Sequence, residues 1–359
     1  MKLVAALRML PTREQATCLR ATLARCNEAC TWLAGIGFDS QIFRQYDLHK
    51  LAYADLRARF GLTAQATVRS IAKVADAFKV SHKSAPMFRK DAAQPYDDRI
   101  IRFVKDGSAV NLWTIEGRMT VPIAMGEHQR RLMVYRKGEV DLCLIRGKWM
   151  LAATCDIPET DEFKAADWLG VDFGIVSLAV DSDGTIHTGA HVERIRDRLA
   201  RRKRGLQKRG TKAAKRRLCK LAGREARFRK HSNHCISKVI VQTAERTGRG
   251  IALEELKGIR GRVTARRSQR SRLHSWSFHQ LRAFVTYKAA RAGVPLVAVD
   301  PRYTSQTCSC CGVINRKNRL DQATFLCISC GYNEAADLNA ARNIRAKVAL
   351  VTPPEVLAA

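Results

Sequence analysis

The spacing of hydrophobic side chains predicts one strand followed by helices in the first part of the chain. Residues 1–10 are largely apolar and read as a strand that ends at Pro11. Residues 12–83 instead carry apolar side chains at helical spacing. Thr12 and Gln15 have the spacing of a capping box, which predicts a helix that begins directly after Thr12.

Alternation of apolar and polar residues returns between residues 95 and 158. Glycines interrupt it at regular intervals, as they do between the short strands of a small antiparallel barrel or sandwich. The N-terminal strand could join this sheet, which would make the helical segment an insertion. The expected strands contain residues 100–104, 109–113, 132–135, 140–145 and 149–152.

A mixed pattern of strands and helices follows the linker at residues 158–164. Three consecutive strands come first, and Asp183 with Gly184 has the composition of a hairpin turn between the second and the third. This second half of the chain therefore reads as an α/β domain. Its expected strands are at 168–171, 176–180, 185–187, 251–253 and 294–299, with helices at 278–291 and 336–348.

The net charge restricts the class of partner. The 359 residues include 64 Lys and Arg against 33 Asp and Glu, which gives +31. Such an excess destabilises a compact chain by self-repulsion unless a polyanion neutralises it. Nucleic acid fits this requirement, because each neutralised phosphate releases counterions. A membrane partner would call for a basic amphipathic helix or a long apolar run, and neither is recognisable in the sequence.

The positive charge is concentrated in two segments. Residues 194–230 contain 18 Lys and Arg against two acids, Asp197 and Glu225, and residues 257–272 form the second basic segment. A run of charge is often only a solvated helix face. Here the scarcity of acids favours contact with a phosphate backbone.

Five of the 12 cysteines cluster near the C-terminus. Because no secretory signal is recognisable, the thiols are expected in a reducing cytosol, where close pairs indicate metal rather than a disulfide. Cys308 and Cys311 form one pair and Cys327 and Cys330 the other, with 15 residues between the pairs. This spacing predicts a structural Zn²⁺ site closed by four thiolates, with Cys310 as a spare.

Three acidic residues stand where strands end or a helix begins. Asp172 and Glu254 each close an apolar strand, and Asp337 lies in the first turn of the last helix. Carboxylates are ligands that Mg²⁺ prefers, and metal ions held by them stabilise the attacking and leaving oxygens of a phosphodiester. Asp172, Glu254 and Asp337 are therefore the candidate catalytic, Mg²⁺-binding residues.

The role of each of these acids is ambiguous when the residue is considered by itself. Asp172 also belongs to a strand–Asp–Gly turn found in sugar-kinase and chaperone ATPases, and its Asp-Phe-Gly motif resembles that of protein kinases, whose other motifs are missing. Glu254 could be half of a surface pair with Glu255, and Asp337 could serve only the helix dipole. The order of all three within one α/β segment favours a shared site.

Four segments of the chain resemble the TnpB family of transposon-encoded, RNA-guided DNA endonucleases, which are related to type V CRISPR effectors. The resemblance extends over residues 168–344 and implies a RuvC domain with Asp172, Glu254 and Asp337 as its metal-binding triad. Glu255 departs from the family pattern, which commonly has Asp there, and remains an alternative to Glu254. The segments are Gly170-Val-Asp172-Phe-Gly174, Leu253-Glu-Glu-Leu-Lys-Gly258, Thr304-Ser-Gln-Thr-Cys308-Ser-Cys-Cys-Gly312 and Cys330-Gly-Tyr-Asn-Glu-Ala-Ala-Asp337-Leu-Asn-Ala-Ala-Arg-Asn343.

The resemblance also implies a multidomain α+β architecture. An RNase H-like (RuvC) α/β nuclease domain would comprise residues 165–302 and 335–350, with a zinc ribbon inserted at 303–334. A β-barrel wedge domain would comprise residues 1–10 and 95–160. A helical recognition domain at 11–94 would interrupt the wedge domain, and residues 351–359 would form a C-terminal tail.

The partners implied by the resemblance are nucleic acids. A guide RNA from the transposon end would neutralise much of the charge and read the target by base pairing, while the protein reads duplex shape and a short motif beside the target. The cofactors would be Mg²⁺ or Mn²⁺ at the nuclease site and Zn²⁺ in the ribbon. A cytoplasmic, prokaryotic protein is expected, monomeric or dimeric, free of membranes and nucleoid-associated when bound to DNA.

Two other functions are compatible with the same residues. One is an RNA-guided repressor that has lost cleavage, which the complete set of three acids disfavours. The other is a transposase that joins DNA strands, for which no separate end-binding helix-turn-helix is evident. The acids alone do not separate hydrolysis from strand joining, because the two reactions differ only in which hydroxyl attacks.

Overall fold

The computed structural model describes residues 1–104, 107–174, 177–188, 190–255 and 278–351. The chain divides into two compact units, Met1–Pro158 and Glu159–Ala359. The basic segment at 257–272 and the tail from residue 352 onwards lie outside the described residues. None of the described helices combines the length and hydrophobicity that crossing a bilayer requires.

Seven strands of the first unit form one antiparallel sheet that is nearly closed into a barrel. The N-terminal strand pairs with two other strands in the interior of this sheet, so it joins the sheet as the sequence indicates. The strands are β1 (Lys2–Met9), β2 (Gln94–Tyr96), β3 (Ile101–Phe103), β4 (Ala109–Thr114), β5 (Gly117–Ala124), β6 (Arg136–Ile145) and β7 (Lys148–Asp156), in the order β2-β6-β7-β1-β5-β4-β3.

Three helices lie between β1 and β2 in the sequence: α1 (Arg13–Asp39), α2 (Gln45–Phe60) and α3 (Ala64–Val80). The predicted capping box at the start of α1 is confirmed, since the backbone N–H of Gln15 donates to Thr12 and that of Thr12 donates to the Gln15 side chain. The helices and the sheet share one hydrophobic core.

The strand predicted at residues 132–135 is wrong. Leu132 and Met133 end a short helix, α4 (Glu127–Met133), and the next strand begins only at Arg136. The Gln129 side chain accepts a hydrogen bond from the backbone N–H of Gly126 at the start of this helix. Leu132 is buried, and an apolar run this short does not distinguish one helical turn from a strand.

The second unit contains a five-stranded sheet in the order β10-β9-β8-β11-β12. Strands β8, β9 and β10 are antiparallel neighbours, and β11 and β12 run parallel to β8. The predicted hairpin turn is confirmed, with Gly184 at φ +90° and its N–H bonded to the Asp181 carbonyl. The strands are β8 (Asp167–Asp172), β9 (Ser177–Asp181), β10 (Ile186–Thr188), β11 (Arg249–Glu254) and β12 (Leu296–Val299).

Helices cover both faces of this sheet. Leu169 and Leu253 project into a core formed with α6 and α7, whereas Ala252 belongs to a smaller core with residues of α8 and α9 on the opposite face. The helices of the unit are α5 (Ala190–Arg209), α6 (Lys212–Arg246), α7 (Phe278–Ala292), α8 (Ala336–Ala346) and α9 (Val348–Val351).

Gly170 allows α8 to lie directly against β8. A β-carbon at this position would be 2.2 Å from the Ala341 carbonyl oxygen and 2.6 Å from the Arg345 backbone nitrogen. Both atoms are backbone atoms of α8, so no side-chain rotation can relieve the clash. The bare backbone of residue 170 therefore sets the distance between the helix and the sheet.

Candidate active site and metal centre

The first two candidate acids lie at the same edge of the sheet. Leu253 pairs with Val171 in the parallel register of β8 and β11, so Asp172 and Glu254 follow at adjacent strand ends. Side chains alternate along a strand. Asp172 therefore shares the face of Gly170, which is the face that α8 covers.

The third acid, Asp337, is the second residue of α8. It lines the same cleft of about 540 Å³ as Asp172 and Glu254. The three acids predicted from the sequence are therefore brought together, although up to 165 positions separate them in the chain. Phe173, Ser177, Thr304 and Arg319 are also among the residues that line this cleft.

The acids are held in an environment that disfavours negative charge. Burial and the neighbouring Glu254 and Asp337 carboxylates raise the pKa of Asp172 to about 8, against the opposing effect of Arg319. Burial also raises the pKa values of Glu254 and Asp337. Carboxylate oxygens are ligands that Mg²⁺ prefers, and a divalent cation between these acids would relieve their mutual repulsion.

A hydroxyl group orients one of the carboxylates. Thr304 donates its Oγ1 hydrogen to Oε1 of Glu254, and this bond lowers the pKa of Glu254 against the effect of burial. Ser177 lines the cleft beside Asp337, where it opposes the rise that burial causes in the pKa of that carboxyl group. The bond from Thr304 fixes the direction in which the Glu254 carboxylate points.

Arg319 supplies positive charge from the ribbon side of the cleft. Its guanidinium donates to the backbone carbonyls of Asp321 and Gln322 at 3.3 and 3.2 Å. It lowers the pKa values of both Asp172 and Asp337, so its charge acts at the carboxylate cluster. In the sequence it is only one of several polar residues between the cysteine pairs.

Glu254 and Glu255 have different surroundings. Glu254 lines the cleft, whereas both carboxylate oxygens of Glu255 accept hydrogen bonds from Arg282 of α7, each at 3.0 Å. Arg282 also donates to the backbone carbonyl of Glu254 at 3.0 Å. The contacts favour Glu254 as the metal-binding member of the pair and Glu255 as part of a clamp on the end of β11.

We expect Arg282→Ala to lower the cleavage rate roughly 10- to 100-fold, the usual effect of losing a residue that orients a metal ligand. The loss should be larger at low Mg²⁺ concentration than at saturation, because an unclamped Glu254 binds the ion more weakly. Cleavage rates measured over a Mg²⁺ titration test this prediction. Arg291→Ala, which removes an exposed arginine from the same helix, is the matched control.

The four predicted zinc ligands converge on one point. The sulfur atoms of Cys308, Cys311, Cys327 and Cys330 lie within 4.8 Å of one another and could hold a metal ion. Gly312 and Gly331, each one residue after a pair, have φ near +75° and donate to the carbonyls of the first cysteine of their pair. Cys310 is exposed and is not part of the cluster.

The cysteine cluster is tied to α8. The strands of the ribbon, β13 (Thr324–Leu326) and β14 (Asn333–Ala335), pair antiparallel, and β14 leads directly into the helix. Asn339 of α8 accepts from the Ser309 N–H and donates to the Thr307 carbonyl, both at 2.9 Å. Within the cluster, the backbone N–H of Cys330 lowers the pKa of Cys327 to about 6, whereas the pKa values of Cys311 and Cys330 are raised.

Cys327→Ser is expected to remove the bound zinc, to lower the melting temperature and to reduce cleavage indirectly through α8. Four-thiolate zinc sites contribute folding free energy of about 10 kcal/mol or more in small domains, so the ribbon should unfold. Metal content and thermal melting measure the effect. Cys310→Ser, a change in the same ribbon outside the cluster, should retain the zinc; equal loss in both variants would contradict the assignment.

Several residues of the site have no distinctive signal in the sequence. Ser177, Thr304 and Arg282 are common residue types, and only their contacts with the acidic residues identify them. Thr304 begins the segment 304–312, whose recognisable feature is its cysteines. Their roles depend on contacts between chain segments that are far apart in the sequence.

A strongly basic groove lies between α5 and α6. It has a volume of about 420 Å³ and an apolar floor that includes Leu206 and Leu221. Of the two acids in the basic segment, Glu225 is paired with Lys203 at 2.8 Å. The positive side chains along the groove are Arg202, Arg209, Arg217, Lys220 and Arg224.

Two protein-family models match two separate parts of the chain. The model described as "Probable transposase" matches residues 154–257, and the model described as "Cas12f1-like, TNB domain" matches residues 278–344. The first contains Asp172 and Glu254, and the second contains all four clustered cysteines and Asp337.

Curated relatives match between about a quarter and just over half of the chain. A CRISPR-associated endodeoxyribonuclease Cas12f1 of Sulfoacidibacillus thermotolerans is 33% identical over 55% of this chain and 50% of its own length. The putative RNA-guided DNA endonuclease InsQ of Escherichia coli is 28% identical over 56% of this chain and 54% of its own. A TnpB-like protein of Methanocaldococcus jannaschii is 36% identical over 26% of this chain and 34% of its own.

Among solved structures, a Cas12f1–sgRNA–target DNA complex aligns with 96% of this chain and 99% of that chain, at 16% identity and a TM-score of 0.43. The chain spans about half the length of the curated relatives it matches. The matches to the family models and the curated relatives confirm the resemblance to the TnpB family, and the chain is similar in sequence to TnpB-like and Cas12f proteins over part of its length.

Proposed function

We propose that this protein is an RNA-guided DNA endonuclease of a transposable element. The observation that carries the proposal is the meeting of Asp172, Glu254 and Asp337 in one cleft at a sheet edge. The strand order, with three antiparallel strands followed by two parallel ones, supports a RuvC nuclease domain of RNase H type. Relatives named RNA-guided DNA endonucleases support the reaction and the guide.

The three carboxylates would hold Mg²⁺ or Mn²⁺ through their oxygens. The bound ions would stabilise charge on the attacking and leaving oxygens of the phosphodiester. Thr304 keeps Glu254 in a fixed orientation, and Arg319 offers its guanidinium to the phosphate oxygens from the ribbon side. In the ribbon, the four cysteines would hold Zn²⁺, which serves the fold rather than the reaction.

The nucleic-acid partners would be a guide RNA from the transposon end and double-stranded target DNA with a short adjacent motif. The basic groove between α5 and α6 supports this proposal, because its cations can contact successive phosphates without reading base sequence. For the first unit we propose a wedge domain (1–10 and 95–160) interrupted by a helical recognition domain (11–94). A prokaryotic, nucleoid-associated location follows from these partners.

For the second unit we propose a nuclease domain at 165–302 and 335–350 that contains the zinc ribbon at 303–334. Residues 351–359 would be a C-terminal tail.

The deciding experiment is to purify the protein from cells that carry its native locus and to sequence the RNA that co-purifies. One discrete RNA species, which then directs Mg²⁺-dependent cleavage of a matching DNA, is the expected result. Recovery of only heterogeneous RNA would overturn the guided function. Cleavage without any matching sequence would reduce the proposal to a nuclease that is not guided.

Strand joining is a second candidate, because one matching family model is described as a probable transposase. The products distinguish the two reactions. Hydrolysis leaves cut ends alone, whereas a transposase yields ends covalently joined to a second DNA. Sequencing across new junctions, in reactions that contain both a donor and a target DNA, decides between them.

A further inference from the structure

The turn from Asp300 to Thr304, between β12 and the ribbon, is held rigidly. The carbonyls of Asp300 and Arg302 both accept hydrogen bonds from the Lys347 ammonium group. The Tyr303 carbonyl accepts from the backbone N–H groups of residues 306 and 307, and the Thr304 carbonyl accepts from the Asn343 side chain. Four of the five carbonyls of the turn are thus bonded.

Within this turn, Tyr303 has an unusual backbone conformation. Its φ is +63°, in the left-handed region that residues with a β-carbon seldom adopt. The hydrogen bonds on either side hold it there. Such conformations concentrate at functional sites, where the surrounding structure enforces them.

The turn directs two side chains outward beside the cleft. Tyr303 is 56% exposed and Arg302 is also exposed, whereas the residues on either side of them, Pro301 and Thr304, line the cleft with the three acids. Thr304 is also bonded to Glu254. A large aromatic ring and a guanidinium therefore lie at the rim of the cleft, on a turn attached to a candidate metal ligand.

We propose that Tyr303 and Arg302 form a docking site for single-stranded DNA at the entrance of the cleft. Tyr303 stacks on one unpaired base, and Arg302 contacts the phosphate next to it. Stacking on an aromatic side chain accepts any base, so it suits a strand whose sequence is not read at this point. This docking site rests on the proposed nuclease function. It adds that DNA reaches the three acids as a single strand.

The test uses the protein with its co-purified RNA and a set of DNA strands, each with one abasic site at a successive position outside the segment that pairs with the RNA. With the wild-type protein, one position should slow cleavage about tenfold, because that base is missing from the stack. Tyr303→Leu should slow cleavage of the intact strand by a similar factor, and the abasic site should then add nothing further. Tyr303→Phe should restore the wild-type pattern, because it keeps the ring.

Tyr303→Gly separates the ring from the backbone, since glycine adopts positive φ without strain. It should behave like Tyr303→Leu; if it cleaves like the wild type, the ring has no role and the proposal is overturned. An abasic penalty that persists unchanged in Tyr303→Leu also overturns it. Failure of the nuclease function itself looks different: the wild type would then cut no strand at all.

Discussion

Replacing Asp172 by Asn should lower the rate of DNA cleavage at least about a thousandfold while the co-purified RNA remains bound. The loss of one carboxylate ligand removes several kcal/mol of charge stabilisation at the reacting phosphate, and each factor of ten in rate corresponds to about 1.4 kcal/mol. Asn has the shape of Asp but no charge. Single-turnover cleavage and RNA content are the two measurements.

The same variant should be more stable than the wild type in the presence of a chelator. Burial and the neighbouring acids raise the pKa of Asp172 to about 8 in the folded protein, so at neutral pH folding requires this carboxyl group to take up a proton that the unfolded chain has released, which lowers the stability. This cost arises as the pH increases from the ordinary pKa of 3.8 towards 8, and the neutral amide removes it. Thermal melting in EDTA should show a higher midpoint for Asp172→Asn.

Glu254 and Glu255 provide a matched pair for the same experiment. Glu254→Gln should match the loss seen in Asp172→Asn, because the side chain lies in the cleft. Glu255→Gln should lose no more than about tenfold to a hundredfold, since it only weakens the bond with Arg282 that steadies the end of β11. The reverse result, with Glu255 indispensable and Glu254 not, would mean that the wrong residue of the pair has been assigned.

Gly170→Ala should destabilise the second unit by about 3 kcal/mol or more, the upper part of the range for overpacked cores. The added methyl group would approach backbone atoms of α8 to 2.2 and 2.6 Å. Either the helix moves away from β8 or the strand bends. Because α8 carries Asp337, any shift of the helix also moves one of the three acids and should lower cleavage even where the protein remains folded.

Urea unfolding and cleavage at a temperature well below the melting transition separate the two effects. Gly35→Ala is the matched control, because no heavy atom lies within 4 Å of the added β-carbon and the residue lies inside α1. It should be neutral or up to about 1 kcal/mol more stable, as expected when Ala replaces Gly in a helix. A Gly170→Ala protein as stable and active as this control would refute the proposed close contact.

Much of this protein follows from local patterns in the chain. Cys308, Cys311, Cys327 and Cys330 could be predicted as one cluster, because the spacing within each pair already restricts the sulfurs to a common centre. The helix start at Thr12 and the turn at Gly184 were equally predictable, since the groups that form them lie within a few residues. The strand expected at Leu132 was wrong, because the hydrophobic pattern of four residues is too short to distinguish a strand from a helical turn.

The acids show where local information ends. Each of Asp172, Glu254 and Asp337 could be placed at the end of an element from the sequence, and the resemblance to TnpB proteins grouped them. The register between β8 and β11, which sets Asp172 beside Glu254, depends on pairing across about 80 residues. The supporting contacts of Thr304, Arg282 and Arg319 were not predictable, because common residue types acquire these roles only from their neighbours in space.

The sequence by itself determined the charge, the cysteine cluster, most of the elements and the identity of the candidate acids, because these depend on composition and on spacing along one segment. Only the tertiary structure decided that the acids share a cleft and that Glu254 faces it while Glu255 bonds to Arg282. It also decided how closely α8 lies on the sheet. That close packing depends on the absence of a side chain at Gly170. This absence matters only because the backbone of α8, a distant segment of the chain, lies within contact distance of it.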